Sequence, residues 1–157
     1  DWVLDGGKCE IGLESTIVDC CQGNLRILRP GVITEKMIEN LCGATSVVTQ
    51  LSKTKPKIRV PGLLDRHYSP RASVRIADSC DPGEGFLALK EIKTPSGAIR
   101  LGSPDSVEAF AQNLYEAFRI ADKLRIKKIV VNVPNRGGLS DAILDRVTRA
   151  SSSDLYF

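Results

Sequence analysis

Lys128-Ile129-Val130-Val131-Asn132-Val133 is a short, β-branched apolar run, and the residues before it follow a different period. Six residues of this kind read as a buried strand. Upstream, apolar residues fall at Val107, Phe110, Ala111, Leu114, Ala117, Phe118 and Ala121, which is the 3.6-residue period of an amphipathic helix. Downstream, a Pro134–Gly138 turn leads to Leu139, Ala142, Ile143, Val147 and Ala150, which mark another helix. Toward the N-terminus, Val74–Ala77, Gly85–Leu89 and Gly97–Leu101 read as three more strands, and Ser103-Pro104 as a helix cap followed by a first-turn proline. Strands alternating with helices predict an α/β unit with a mostly parallel sheet from about Ser73. It has no GxGxxG. Gly137-Gly138 before the last helix reads as a plain turn, with an anion seat at the helix N-terminus as the alternative. Ser151–Phe157 reads as a loose tail.

Between Ser52 and Gly62 the pattern changes. Ser52-Lys53-Thr54-Lys55-Pro56-Lys57-Ile58-Arg59-Val60-Pro61-Gly62 has no buried period, four positive charges and two prolines, the signature of a linker. The next stretch, Leu63-Leu64-Asp65-Arg66-His67-Tyr68-Ser69-Pro70-Arg71, is too rich in functional side chains for a passive spacer.

The first 50 residues form a second α/β segment. Thr16-Ile17-Val18 and Leu25-Arg26-Ile27-Leu28-Arg29 read as two strands of a hairpin, with Gly23-Asn24 supplying turn chemistry between them. That pairing places Ser15 and Arg29 opposite each other at the open end. Arginine presents a planar fork that suits phosphate oxygens, and serine adds a neutral donor and acceptor. A hairpin with an ordinary solvated arginine is the alternative. Thr34 reads as the N-cap of a helix over Glu35–Leu41, Gly43 as its stop, and Ser46–Thr49 as a further strand. Asp1–Gly7 reads as a strand running into a turn. A chain opening this way at Asp1, without methionine, reads as a fragment whose N-terminal portion is missing.

The 157 residues are 42% hydrophobic and 26% charged, so the chain is expected to be globular. A net charge of +3 is too small to argue for nucleic acid by itself. No apolar run approaches the roughly 20 residues of a membrane span. Cys9, Cys20, Cys21, Cys42 and Cys80 are odd in number and fit no zinc spacing, so reduced thiols in a cytoplasmic protein are expected. His67 is the single histidine, which excludes any site needing two imidazoles from this chain.

Taken in order, these pieces resemble the long-form threonylcarbamoyl-AMP synthases of the YrdC/TsaC superfamily. The residues that carry the resemblance are Leu4-Asp5-Gly6-Gly7, Gly12-Leu13-Glu14-Ser15-Thr16-Ile17-Val18-Asp19, Leu28-Arg29-Pro30-Gly31, Ile33-Thr34, Pro61-Gly62 and Arg66-His67-Tyr68-Ser69-Pro70. Farther on come Asn113-Leu114-Tyr115, Arg119, Asp145-Arg146 and Arg149-Ala150. The resemblance implies the C-terminal part of a YrdC-like α/β catalytic domain (1–51), a linker or lid (52–72) and a small Rossmann-like parallel-sheet accessory domain (73–157). It implies an enzyme that condenses L-threonine, bicarbonate and ATP into threonylcarbamoyl-adenylate and pyrophosphate. The product would pass to the tRNA threonylcarbamoyl transferase complex, with only weak direct tRNA binding. Ser15 and Thr16 would contact L-threonine. Arg29 would hold ATP phosphates, and His67, Tyr68 and Arg71 would meet the nucleotide from the lid. Mg2+ would accompany ATP with no ligand from this chain, and no catalytic residue is assigned. The family's N-terminal KxR-type and SxN motifs are not found here, since Lys55-Pro56-Lys57 lies in the linker and Lys123-Leu124-Arg125 on the second-unit helix, so the chain is expected to be inactive alone.

Two other readings stay open at this stage. The basic linker and the second unit would suit a non-catalytic module that binds RNA or a partner of the modification machinery. Alternatively, the second unit would be a regulatory nucleotide binder in its own right.

Overall fold

The structure, a computed structural model, describes residues 2–7, 9–21, 25–43, 47–49, 69–135 and 137–151, with 47–49 described by backbone alone. In chain order the elements are β1 (Ile17–Asp19), β2 (Leu25–Arg29), α1 (Glu35–Cys42), β3 (Val47–Thr49), β4 (Ser73–Ile76), β5 (Gly85–Leu87), β6 (Ile99–Gly102), α2 (Val107–Lys123), β7 (Lys128–Val131) and α3 (Leu139–Ser151). They form two sheets, one of three strands ordered β1-β2-β3 and one of four ordered β4-β7-β5-β6.

The four-stranded sheet is parallel throughout: β7 pairs with β4 from Ser73↔Lys128 to Ile76↔Val131, and with β5 from Gly85↔Ile129 to Leu87↔Val131. Central parallel strands are covered on both faces, which is why β5 and β7 read as continuous apolar runs. One face carries the main core, where Leu87, Ile129, Val131 and Leu101 meet Phe110, Leu114 and Phe118 of α2 and Ile143 and Val147 of α3. The other face carries a smaller cluster of Phe86, Ala88 and Val130. Arg100 closes that side: its guanidinium lies 5.4 Å from the Phe86 ring centre and donates to the carbonyls of Ala88, Leu89, Ile92 and Gly102.

Helix α2 starts later than Ser103-Pro104 predicts. Its N-cap is Ser106, whose Oγ accepts from the Ala109 amide at 3.1 Å. Pro104 is buried instead, and its carbonyl accepts from the Lys90 amide at 2.7 Å, which ties it to the loop after β5. For α1 the expected cap and stop hold: Thr34 Oγ1 accepts from the Met37 amide, and Gly43 takes the left-handed conformation at φ 60°. The strand expected within Asp1–Gly7 does not form over residues 2–7.

In the three-stranded sheet β1 and β2 are antiparallel, and β2 and β3 run parallel across the α1 connection. Among the described residues, the stretch just before β1 ties this sheet to the rest of the molecule. Leu13 packs on the main core, and Gly12 sits against the backbone of α2 at Ala111 and Gln112.

Candidate functional site

Glu14, Ser15 and Thr16 lie between that packed stretch and β1, so both sheets bear on their position. The β1–β2 register pairs Ile17 with Arg29 and then slips at a bulge between Ile17 and Val18. A bulge turns the side chains that follow and precede it out of the regular alternation. Here it lets Arg29 reach back past Ile17 to Ser15. Arg29 Nε donates to the Ser15 carbonyl at 3.0 Å, and Nη2 donates to Ser15 Oγ at 3.3 Å. Since Ser15 Oγ accepts from Arg29, its own O–H remains able to donate to a ligand.

Pro30-Gly31 has a steric role. A Cβ on Gly31 would stand 2.7 Å from Thr16 Oγ1 and 2.8 Å from the Ser15 carbonyl carbon, so only glycine lets this turn close against the Ser15-Thr16 backbone. Thr16 Oγ1 donates to the Ile33 carbonyl at 2.7 Å, which fixes the other side of the same turn.

Glu14 faces the opposite way, into α2 and α3. Its carboxylate accepts from Tyr115 Oη at 2.9 and 3.1 Å and from Arg146 Nε at 2.7 Å. Its backbone carbonyl accepts from Arg146 Nη2 at 3.3 Å. Arg146 also donates to Asp145 at 2.7 Å, and Asp145 in turn accepts from Arg149 at 2.9 to 3.1 Å. The side chains of Arg146 and Asp145 are buried, 6% and 7% exposed, so they form an interior ion network rather than a solvated pair.

The electrostatics follow from that burial. Burial pushes the Glu14 carboxyl up, but the Arg146 hydrogen bond and charge, with Tyr115, outweigh it and hold the carboxyl below its ordinary value. For Tyr115, burial and the Glu14 carboxylate keep the hydroxyl protonated far above the usual tyrosine range. Burial works against the Arg146 charge, yet Glu14 and Asp145 more than offset it. Arg29 is pushed the other way, by burial first and then by Arg146. Two guanidiniums thus face the Glu14–Ser15 stretch, and Glu14 and Asp145 balance them.

A pH dependence follows. Glu14 titrates at about 4.5 when free and lower when held, so its contribution is complete above pH 4.5 and is lost as pH falls through the depressed value. Protection factors of the amides of residues 9–16 should therefore hold above pH 4.5 and fall as pH drops below it. The substitution Glu14→Gln should flatten that response. An equal response in both proteins would remove Glu14 as its source.

Of the expected site residues, the structure brings Ser15, Thr16 and Arg29 together. Arg71 lies elsewhere: it is exposed, its amide donates to Asp122 Oδ1 at 2.9 Å, and it lines a cleft of about 450 Å³ with Asp122, Arg125, Ile126 and Lys127. Asp122 is seven residues beyond Tyr115, about 10 Å along α2. His67 and Tyr68 fall outside the described residues. Among the described residues no group of three His, Cys, Asp or Glu could hold a metal ion, and no helix is long and apolar enough to cross a membrane. All five cysteines are free thiols.

Sequence reasoning assigned no role to Glu14, Tyr115, Asp145, Arg146 or Arg149. One signal was available in α3. Asp145 and Arg146 stand three residues after Ala142 and Ile143, so they fall on the apolar face of the helix, where a charge must be paired. Arg119, in contrast, pairs with Glu116 on the surface of α2.

Comparison with known proteins gives this geometry its context. The family model described as threonylcarbamoyl-AMP synthase, C-terminal domain, matches residues 33–152. The threonylcarbamoyl-AMP synthase of Pyrococcus abyssi is 29% identical over 165 residues, covering 95% of this chain and 48% of the relative. That of Bacillus subtilis is 28% identical over 166 residues, with the same 95% and 48% coverage. A crystal structure of P. abyssi Sua5 complexed with L-threonine is similar with a TM-score of 0.77 at 26% identity, over 94% of this chain and 48% of that one. The chain spans about half the length of these relatives and matches their C-terminal part. It belongs to the threonylcarbamoyl-AMP synthase C-terminal domain family.

Proposed function

We propose that this chain supplies one wall of a threonylcarbamoyl-AMP synthase site, for the reaction of L-threonine, bicarbonate and ATP to threonylcarbamoyl-adenylate and pyrophosphate. The observation that carries this reading is the Ser15–Arg29 pair, a hydroxyl free to donate beside a buried guanidinium. Ser15 and Thr16 meet L-threonine or its carbamate, and Arg29 meets ATP phosphate oxygens. The similar P. abyssi protein was crystallised with L-threonine, which supports that substrate. His67, Tyr68 and Arg71 contact the nucleotide when the lid segment covers it.

The chemistry needs the carbamate placed against the α-phosphate and the developing charge stabilised, so binding and orientation are what these residues provide. Mg2+ screens the ATP phosphates when bound. Glu14, beside Ser15, is already engaged by Tyr115 and Arg146, so its carboxylate is not open to the ion. The adenylate then serves the tRNA threonylcarbamoyl transferase complex, in the cytoplasm.

The 157-residue chain alone should release no pyrophosphate, because it has no SxN motif and its K-x-R tripeptides, Lys57-Ile58-Arg59 and Lys123-Leu124-Arg125, do not stand where the family's N-terminal motif does. Joined to a YrdC-type N-terminal segment bearing those motifs, it should be active. In that protein Arg29→Ala should lower kcat/KM for ATP about 10- to 100-fold, the loss of a charge-assisted hydrogen bond to phosphate. Unchanged ATP kinetics would end the phosphate role of Arg29.

A second reading draws on the cations Arg71, Arg125 and Lys127 around the α2 cleft. They would suit a polyanion such as RNA. Salt-dependent tRNA binding by this chain, without any nucleotide-dependent activity in the joined protein, would favour it.

A further inference from the structure

The two backbone carbonyls on either side of the Ser15 Cα, those of Glu14 and Ser15, are held by different guanidiniums. Arg146 of α3 takes the Glu14 carbonyl, and Arg29 of β2 takes the Ser15 carbonyl. The Glu14 side chain is held at the same time by Tyr115 of α2 and by Arg146 Nε. Leu13, one residue earlier, is packed on the core shared by α2 and α3. Arg146 is itself fixed in place by Asp145, which Arg149 braces from the next turn. Successive residues 13 and 14 are thus gripped by the C-terminal helices, while Ser15, the next in line, is tied to β2.

From this juxtaposition we propose that Tyr115 and Arg146 are positioning residues: through Glu14 they set where the Ser15 hydroxyl stands for its substrate. The inference rests on the proposed role of Ser15 toward L-threonine. It gives the C-terminal unit a task in the reaction separate from carrying a lid. Arg29 and the Thr16–Ile33 hydrogen bond hold Ser15 from the β2 side, so without the helix grip the Glu14 side of Ser15 loses its anchor. A displacement near 1 Å at a substrate-positioning group can lower rate about 100-fold, which sets the scale of the effect.

The test uses Tyr115→Phe and Arg146→Lys. The first removes one hydroxyl and keeps the ring against Phe118, its edge-on neighbour at 6.3 Å. The second keeps the charge and removes the fork that spans Glu14 and Asp145. Amide exchange at Ser15 and Thr16 in the 157-residue chain should accelerate about tenfold or more in each variant, the loss of a hydrogen bond to a charged group, while β5 and β7 amides keep their protection. In the joined, active protein each variant should raise KM for L-threonine about tenfold, with KM for ATP within about twofold. Glu14→Gln, which keeps the acceptor and the shape, should retain more threonine affinity than Glu14→Ala.

Unchanged exchange at Ser15 overturns the positioning role. So does accelerated exchange with an unchanged threonine KM, or an equal rise in both KM values, which would mark a merely structural loss. A joined wild-type protein that never consumes threonine overturns the functional reading instead, and the exchange measurement still decides whether the helices hold Ser15.

Discussion

Arg146→Ala is expected to destabilise the chain by about 3 kcal/mol, roughly 6–12 °C in Tm at this length. Breaking a buried ion pair by removing one partner typically costs about 3–5 kcal/mol, because the other charge is left without compensation. Two carboxylates lose a partner here. Glu14 keeps Tyr115 and has a side chain only 23% exposed to water, while Asp145 keeps Arg149. Retention of that second arginine places the expected value at the low end of the range. The contrast is Arg119→Ala in α2, whose pair with Glu116 is 64% and 45% exposed and should change stability by less than about 1 kcal/mol. Thermal melts of the two variants decide the matter. A shift below about 2 °C for Arg146→Ala would show that water already solvates the network.

Local chemistry in the sequence was enough for most of the elements, though not for the strand expected within Asp1–Gly7. Thr34 and Gly43 bound α1 because an N-cap hydroxyl and a left-handed glycine act within one turn. The runs at Phe86-Leu87 and Ile129–Val131 marked the two central strands, since a strand covered on both faces has no polar alternation to lose. Ser103-Pro104 misled because a cap-like dipeptide says nothing of its burial, and Pro104 is drawn under the loop after β5. At the site, a hairpin brings the two ends of β1 and β2 together, which made Ser15 and Arg29 legible as neighbours, but the expected facing pair was off in register: Arg29 pairs with Ile17, and its side chain reaches back to Ser15. The grip on Glu14 was not. Its partners are 101 and 132 residues away in sequence, and no short-range pattern encodes a contact of that span. The trace it leaves is chemical: charged residues on the apolar stripe of α3 imply an unseen partner, without saying which.

Gly12→Ala should release the same region from the opposite side, lowering the local opening free energy of residues 9–16 by about 3 kcal/mol. Gly12 adopts φ 76°, a left-handed conformation that costs an L-residue about 1–2 kcal/mol. A Cβ there would also meet backbone rather than a side chain that could swing away: the Ala111 carbonyl oxygen and the Gln112 nitrogen both lie at 3.0 Å. Overpacking of that kind adds about 1–3 kcal/mol. Helix α2 is held by Phe110, Leu114 and Phe118 in the main core, so the segment before β1 must yield. Lifting it breaks the hydrogen bond from Gln112 Nε2 to the Glu10 carbonyl and pulls Glu14 from Tyr115. Exchange at residues 9–16 should then run about 100-fold faster, while β5 and β7 keep their protection. This variant leaves the Tyr115 and Arg146 side chains themselves unaltered, so it loosens Glu14 by moving the segment rather than by removing its partners. Exchange that stays slow would mean the segment is held by β1 rather than by its contact with α2.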